Sequence, residues 1–113
     1  MHELSIAQSM VELAEQQARQ HNAEAIEELE LEIGCLAGIE LFALDFALES
    51  SVKGTMLENA RIVRRHIDGQ GRCGDCEAVF TVSTLFTPCP VCGSYAVNIL
   101  KGKELRLKSI VIK

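Results

Sequence analysis

Four cysteines arranged as two Cys-x-x-Cys pairs are the residues of this chain with the clearest capacity for chemistry. Cys73 and Cys76 form the first pair, twelve residues follow, and Cys89 and Cys92 form the second pair. Each pair makes a tight turn that directs two sulfurs toward one point, which is typical of a tetrahedral metal site. The sequence therefore predicts one four-cysteine centre, with zinc as the expected ion.

The segment between the pairs needs such an ion to fold. Its apolar side chains are too few for an independent hydrophobic core, and they are Val79, Phe80, Val82, Leu85 and Phe86. A structural zinc ion contributes roughly 10–16 kcal/mol of apparent binding free energy. We therefore expect residues 73–96 to form a zinc-binding ribbon.

Two other interpretations of the cysteines stay open at this point. Two disulfides are disfavoured, because Cys-x-x-Cys pairs in a chain without a secretion signal are more often metal or redox sites. Iron is a closer rival, because the Cys-Pro-Val-Cys-Gly segment from Cys89 also suits a rubredoxin-like site and tetrahedral sulfur accepts either metal.

Composition places the chain among small globular proteins of the cytoplasm. Its 113 residues, 48% of them hydrophobic, suffice for one compact body with a small appended module. No apolar run approaches the roughly 18 residues of a membrane-spanning helix, and the start of the chain lacks the features of a signal peptide. We therefore expect a cytoplasmic protein that does not enter a membrane.

The two halves of the chain carry opposite charge. Residues 1–60 hold 12 acidic and 2 basic side chains, whereas residues 61–113 hold 4 and 9, so the net charges are −10 and +5. Proteins that bind duplex nucleic acid need a continuous basic face. The acidic first half therefore argues against nucleic acid as a partner.

The elements before the cysteines predict an α+β domain. An apolar stripe at helical spacing predicts an amphipathic helix from Leu4 to about Gln20, and strict alternation predicts a strand over 28–33 that ends at Gly34. A second helix is expected from Glu40 to about Ser50, with Phe42 and Phe46 in the core. The odd cysteine, Cys35, is expected to be a free and buried thiol.

The elements around the cysteines make the ribbon an insertion. Residues 60–67 are rich in β-branched side chains and predict a strand whose exposed arginines are either a docking patch or a solvated face. After the ribbon, a hairpin over 97–108 is expected to return the chain to the main sheet. The predicted domains are thus 1–72 with 97–113, and the inserted ribbon of 73–96.

The amino-terminal arm offers a second type of metal site. The α-amine of Met1, the amide and imidazole of His2, and the amide of Glu3 can form adjacent chelate rings in one plane. Planar, nitrogen-rich coordination favours Ni(II) or Cu(II). From the residues alone, an ordinary exposed terminus remains the simpler interpretation.

Several motifs, in order along the whole chain, give it a family resemblance. They are Met1-His2-Glu3-Leu4-Ser5-Ile6-Ala7-Gln8-Ser9, Leu31-Glu32-Ile33-Gly34, the two cysteine pairs, and Glu104-Leu105-Arg106-Leu107-Lys108-Ser109-Ile110. With these motifs the sequence closely resembles the HypA/HybF family of nickel metallochaperones. The opening triplet together with a four-cysteine ribbon is highly specific.

The resemblance implies a fold, a function and a set of ligands. It implies two helices on a small mixed sheet with an inserted zinc ribbon, and delivery of nickel to the precursor of [NiFe]-hydrogenase, in some organisms also to urease. It implies a nickel-handling GTPase and the hydrogenase large-subunit precursor as partners. Met1, His2 and Glu3 would hold nickel, the four cysteines would hold zinc, and Glu40 lies where the family places an acidic group near the nickel.

Two other classes of protein compete with this nickel carrier. A zinc-ribbon interaction module would bind nucleic acid through its basic side chains, which are Arg61, Arg64, Arg65 and Arg72. An iron-sulfur electron carrier would be coloured. The chain shows no nucleophile with an adjacent base and no phosphate-binding glycine loop, so we expect a carrier and not an enzyme. The sequence leaves open whether the chain is a monomer or a homodimer.

Overall fold

A computed structural model describes residues 3–113, which form two helices and six strands. In chain order these elements are α1 (Glu3–Gln20), β1 (Ile26–Gly34), α2 (Leu41–Ser51), β2 (Arg61–Ile67), β3 (Gly69–Cys73), β4 (Val79–Val82), β5 (Val97–Lys101) and β6 (Leu105–Ile112). Neither described helix has the length and apolarity needed to cross a membrane. The architecture is α+β, as the sequence predicts.

Helix α1 forms because its apolar residues recur on one stripe. The buried side chains of this stripe are Ile6, Ala7, Met10, Val11, Ala14 and Ala18. The helix ends at Gln20, where the Nδ1 atom of His21 lies 2.9 Å from the carbonyl oxygen of Gln17. The amphipathic helix expected from the sequence is confirmed, with its start one residue earlier.

The first sheet has the strand order β2-β1-β6. Lys113 donates to the carbonyl oxygen of Ala25 at 2.9 Å, and Arg106 donates to Glu32, so residue numbers fall along β6 as they rise along β1. These contacts make β1 and β6 antiparallel. Salt bridges of Glu28 with Arg61 and of Glu30 with Arg65 indicate a parallel pairing of β1 with β2, and the sheet is therefore mixed.

The side chains that helix α2 buries differ in part from those that the sequence predicts. Leu44, Ala47 and Leu48 face the core, as expected for a helix of this apolarity. Phe42 and Phe46 were expected in the core, but 86% and 71% of their surfaces are exposed. That prediction is wrong, because a helix that is apolar around more than half its circumference does not reveal which of its faces is packed.

The second sheet has the strand order β4-β3-β5, and both pairings are antiparallel. Its central strand is β3, which ends at Cys73, the first cysteine of the first pair. The predicted hairpin over 97–108 is wrong, because β5 pairs with β3 in this sheet while β6 joins the first sheet. Gly102, between them, has a φ of +117°, and a Cβ atom there would lie 2.6 Å from the Cα atom of Gly69.

The chain divides into two compact units. The first contains 1–32, 39–65 and 106–113, and the second contains 33–38 and 66–105. The second unit is wider than the ribbon expected over 73–96, because β3 lies between β4 and β5 and pairs with both. Cys35 belongs to this unit and is exposed, with its sulfur 3.7 Å from the carbonyl oxygen of Val82, so the expectation of a buried thiol is wrong.

Candidate metal centres

The two cysteine pairs lie in two turns that have the same pattern of backbone hydrogen bonds. The amide of Cys73 donates to the carbonyl oxygen of Ala78 at 2.9 Å, and the amide of Cys89 donates to Ser94 at 2.8 Å, five residues ahead in each case. The carbonyl oxygens of these two cysteines accept from the amides four residues ahead, which are those of Glu77 and Gly93, at 3.0 and 2.8 Å.

In both turns the backbone adopts a positive φ angle at the residue four positions after the first cysteine. Glu77 and Gly93 have φ angles of +65° and +77°, a conformation that glycine adopts freely and glutamate does not. A glutamate held there indicates that the surrounding hydrogen bonds determine the turn. The two segments are therefore equivalent turns that each present two cysteines to the candidate metal centre, although glycine stands at this place in the second turn alone.

The four sulfurs converge on one point. All four Sγ atoms lie within 4.8 Å of one another, and the Cys73–Cys92 and Cys76–Cys89 pairs are 3.5 Å apart. In a tetrahedral site with Zn–S bonds of about 2.3 Å, neighbouring sulfurs are roughly 3.8 Å apart. The cluster therefore fits a tetrahedral thiolate-bound metal ion.

The geometry does not support the alternative of two disulfides. All five cysteines are free, and the separation of 3.5 Å between paired sulfurs far exceeds the length of about 2.05 Å of a disulfide bond. Zinc and iron both accept four thiolates in this arrangement, so the cluster by itself leaves the choice of ion between them.

Backbone amides make the first cysteine of each turn the more acidic thiol. The amide of Cys76 donates to the Cys73 sulfur at 3.4 Å, and with the amide of Asp75 it lowers the pKa of Cys73 to about 6, although burial opposes the shift. The amides of Cys92 and Val91 likewise lower the pKa of Cys89. Cys73 therefore offers a thiolate near neutral pH, and the same kind of amide contact makes Cys89 more acidic than an ordinary thiol.

The second cysteine of each turn is the less acidic partner. The amide of Ser94 lowers the pKa of Cys92, but the neighbouring Cys73 sulfur and burial outweigh it and raise the pKa to about 12. The pKa of Cys76 is also raised, because burial and the Cys89 sulfur outweigh the amide of Ala78. In each close pair the pKa of one thiol is thus lowered and that of the other is raised, and a bound metal ion would displace the protons that remain.

A polar contact joins the two turns outside the sulfurs. The hydroxyl of Ser94, after the second pair, donates to the carboxylate of Asp75 in the first pair, and the amide of Ala96 donates to the Ser94 oxygen at 3.0 Å. Such outer contacts hold ligand-bearing turns in place. Ser94 and Asp75 were not among the predicted site residues, and their polar side chains beside the cysteines were the only signal of this contact in the sequence.

The predicted nickel arm lies partly outside the described residues. Met1 and His2 are not described, whereas Glu3 begins α1 and its carboxylate accepts from the amide of Glu40 at 3.2 Å. The carboxylate of Glu40 accepts from the amides of Phe42 and Ala43 at 3.2 and 2.7 Å, and so caps α2. The structure therefore brings Glu3 and Glu40 together.

The arginines that could form a nucleic-acid site have carboxylate partners. Arg61 pairs with Glu28 at 3.2 Å and Arg72 pairs with Glu77 at 2.6 Å. Arg64 and Arg65 pair with Asp45 and Glu30. These pairs favour the solvated-face interpretation of the basic cluster, because a phosphate would have to displace a carboxylate at each arginine.

Comparisons with known proteins agree along the whole chain. Residues 1–112 match the family model described as "Hydrogenase/urease nickel incorporation, metallochaperone, hypA". The hydrogenase maturation factor HypA of Parabacteroides distasonis is 63% identical over 113 residues, with 100% of this chain and 98% of that protein covered. The protein of the same name from Geobacter sulfurreducens is 42% identical, with 100% of both chains covered.

Solved structures show the same similarity. The solution structure of the Ni metallochaperone HypA from Helicobacter pylori matches with a TM-score of 0.70 and 28% identity, covering 99% of this chain and 97% of that one. A second match, to a solution structure of HypA protein, has a TM-score of 0.72 and 28% identity, covering 100% of this chain and 97% of that one.

Proposed function

Because this chain belongs to the HypA family of hydrogenase and urease nickel-incorporation metallochaperones, we propose that its amino-terminal arm carries Ni(II) for the maturation of [NiFe]-hydrogenase. Met1, His2 and Glu3 are the proposed nickel-binding residues. The contact between Glu3 and Glu40 carries this assignment, because it fixes the last residue of the arm at the start of a helix. Glu40 is proposed as an acidic neighbour of the bound nickel.

The four cysteines are the proposed zinc site. The near-tetrahedral sulfur separations and the two acidic thiols suit a closed site with four thiolates, in which zinc has a structural role. The apolar residues buried in the second unit are few, so an ion there would contribute strongly to its stability.

The proposed mechanism is transfer and not catalysis. Ligands on an exposed arm can leave nickel one at a time while thiolates of the acceptor replace them, and the softer ligands retain the metal. The imidazole and the amide nitrogens must lose protons to bind, so nickel loading should fall as the pH drops. We infer that the chain is a carrier that works in the cytoplasm with a nickel-handling GTPase and the hydrogenase large-subunit precursor. Service to urease is the alternative destination.

The test is nickel calorimetry on untagged protein with its native amino terminus. One additional residue before Met1 converts the α-amine to an amide and displaces His2, and we expect it to abolish tight nickel binding while one zinc per chain remains. His2→Ala should have the same effect. His21→Ala is the matched control, because it removes an exposed histidine at the other end of α1. Equal nickel binding by all four proteins would contradict the arm as the site.

A further inference from the structure

An open apolar groove lies between α1 and α2 in the first unit. It has a volume of about 700 Å³, and its largest apolar side chains are Leu4, Phe42 and Phe46. Both phenylalanines are mostly exposed, and 51% of the surface of Leu4 is exposed. Exposed apolar side chains that adjoin one another in this way mark interaction sites more often than scattered single ones do.

The groove is a preformed feature of the helix pair. Phe42 and Phe46 are four residues apart and therefore adjacent on one face of α2, while Leu44 and Leu48 bury the opposite face. The carboxylate of Glu40 fixes the start of this helix, so the position of Phe42 is determined by the cap. A partner would therefore meet two aromatic side chains on a rigid element, which suits binding anchors.

The charge around the groove is negative. Glu3 and Glu40 line it, and none of the described residues that line it is basic. Glu49 lies three residues beyond Phe46 on the same helical face, is exposed, and has no ion-pair partner among the described residues. A second copy of the chain would bring this surface against itself and set carboxylates against carboxylates. The charge therefore favours a different protein with basic residues.

The location of the groove indicates which partner protein would bind there. Glu3 both lines the groove and is the last residue of the proposed nickel arm. Transfer by ligand exchange requires the receiving protein to bring its thiolates to this arm. The protein that accepts the nickel must therefore contact the molecule beside this groove.

We propose that the groove formed by Leu4, Phe42 and Phe46 docks the nickel acceptor through an apolar segment of that protein flanked by lysine or arginine. This inference rests on the proposed function, because it takes the amino-terminal arm as the place where nickel is handed over. The aromatic anchors would supply the affinity, and the carboxylates would supply orientation and a salt-dependent association rate.

The experiment measures binding of the full-length chain, with its native amino terminus, to immobilised and metal-free hydrogenase large-subunit precursor from the same organism. The Phe42→Ser/Phe46→Ser double variant should weaken binding by about tenfold or more. Phe86→Ser is the matched control, because Phe86 is 89% exposed and lies in the second unit. It should bind like the unsubstituted chain. Glu49→Lys should weaken binding and reduce its dependence on salt.

Nickel and zinc contents of every variant separate this inference from the function on which it rests. If the unsubstituted chain holds no nickel at its arm, the proposed function fails. If nickel is held and the double variant binds the precursor as tightly as the unsubstituted chain, the docking surface alone is overturned. The proposed acceptor is also overturned if the double variant loses binding to the GTPase, or loses self-association, while it keeps binding to the precursor.

Discussion

Glu32 is a carboxylate buried within a strand, and its partners explain why it is tolerated there. It lies in β1 with 6% of its surface exposed, between the buried residues Leu31 and Ile33. Arg106 donates to it from β6, and Lys108 donates at 3.4 Å. The Arg106 hydrogen bond lowers the pKa of Glu32 below its usual value of 4.5, although burial opposes the shift.

This carboxylate should make stability depend on pH in the acid range. Because its pKa is lower in the folded state, Glu32 contributes stability above pH 4.5, and the contribution is lost as the pH falls through the folded-state pKa. Glu32→Gln should lower the melting temperature at pH 7 and reduce the loss of stability between pH 5 and pH 3. Thermal unfolding over this range, with the exposed Glu12→Gln as control, measures both effects. Parallel curves for Glu32→Gln and the unsubstituted chain would exclude this role.

Helix α2 has two apolar faces with different roles. Leu48 is fully buried and Phe42 is mostly exposed, although the two differ little in hydrophobic character. The buried face stabilises the fold, and the exposed face is available for binding. A substitution on each face separates the two roles.

Leu48→Ala should lower the free energy of unfolding by about 2–5 kcal/mol, because it leaves a cavity in the core. Phe42→Ala should change it by less than about 0.5 kcal/mol, because little of its surface is buried in the folded chain. Urea unfolding monitored by circular dichroism measures both values. A large loss in Phe42→Ala would mean that this side chain belongs to the core after all.

The elements show which features a sequence pattern can predict. Helix α1 has one buried face and most of β1 alternates between buried and more exposed residues, so their periodicity identified them, including the end of β1 at Gly34. Strand β1 begins earlier than predicted, at Ile26, and its buried Glu32 departs from the alternation. Phe42 and Phe46 were misplaced because hydrophobicity does not distinguish a core face from a binding face. The strands on either side of Gly102 were predicted to form a hairpin. A local sequence pattern does not reveal that Gly102 lies close to Gly69, which is distant in the chain.

The two units of the molecule have hydrophobic cores of different size. Most of the buried apolar side chains lie in the first unit, whereas those of the second are Ile33, Leu36, Val82, Cys73 and Cys89. Two of these five are metal-ligand candidates. The second unit should therefore depend on its ion for stability far more than the first.

Removal of the metal should destabilise the second unit and leave the first unit stable. A strong zinc chelator should increase amide hydrogen exchange in β3, β4 and β5 by orders of magnitude, while the buried stripe of α1 stays protected. Hydrogen exchange followed by mass spectrometry resolves the two regions, and re-addition of zinc is the control for reversibility. An equal loss of protection in α1 would show that the chain unfolds as one cooperative unit.

The cysteine centre was the most predictable site of the molecule. Its four cysteines come from two short turns whose spacing is visible in the chain, and the structure brings their sulfurs together. The neighbouring contact of Ser94 with Asp75 was not predictable, because each residue is common beside a turn and their meeting depends on the fold. The nickel arm was favoured by family resemblance, since its residues alone also suit an ordinary terminus.

The pairing of β1 with β6 also sets an order of events during synthesis. Glu32 and Arg106 are 74 positions apart, so at roughly 5–20 residues per second the ribosome needs about 4–15 s to supply the partner strand. All four cysteines of the centre leave the ribosome within that interval. If the cysteine centre holds zinc as proposed, the nascent chain can therefore acquire the ion before its first sheet is complete, and scarcity of zinc would affect unfinished chains sooner than finished ones.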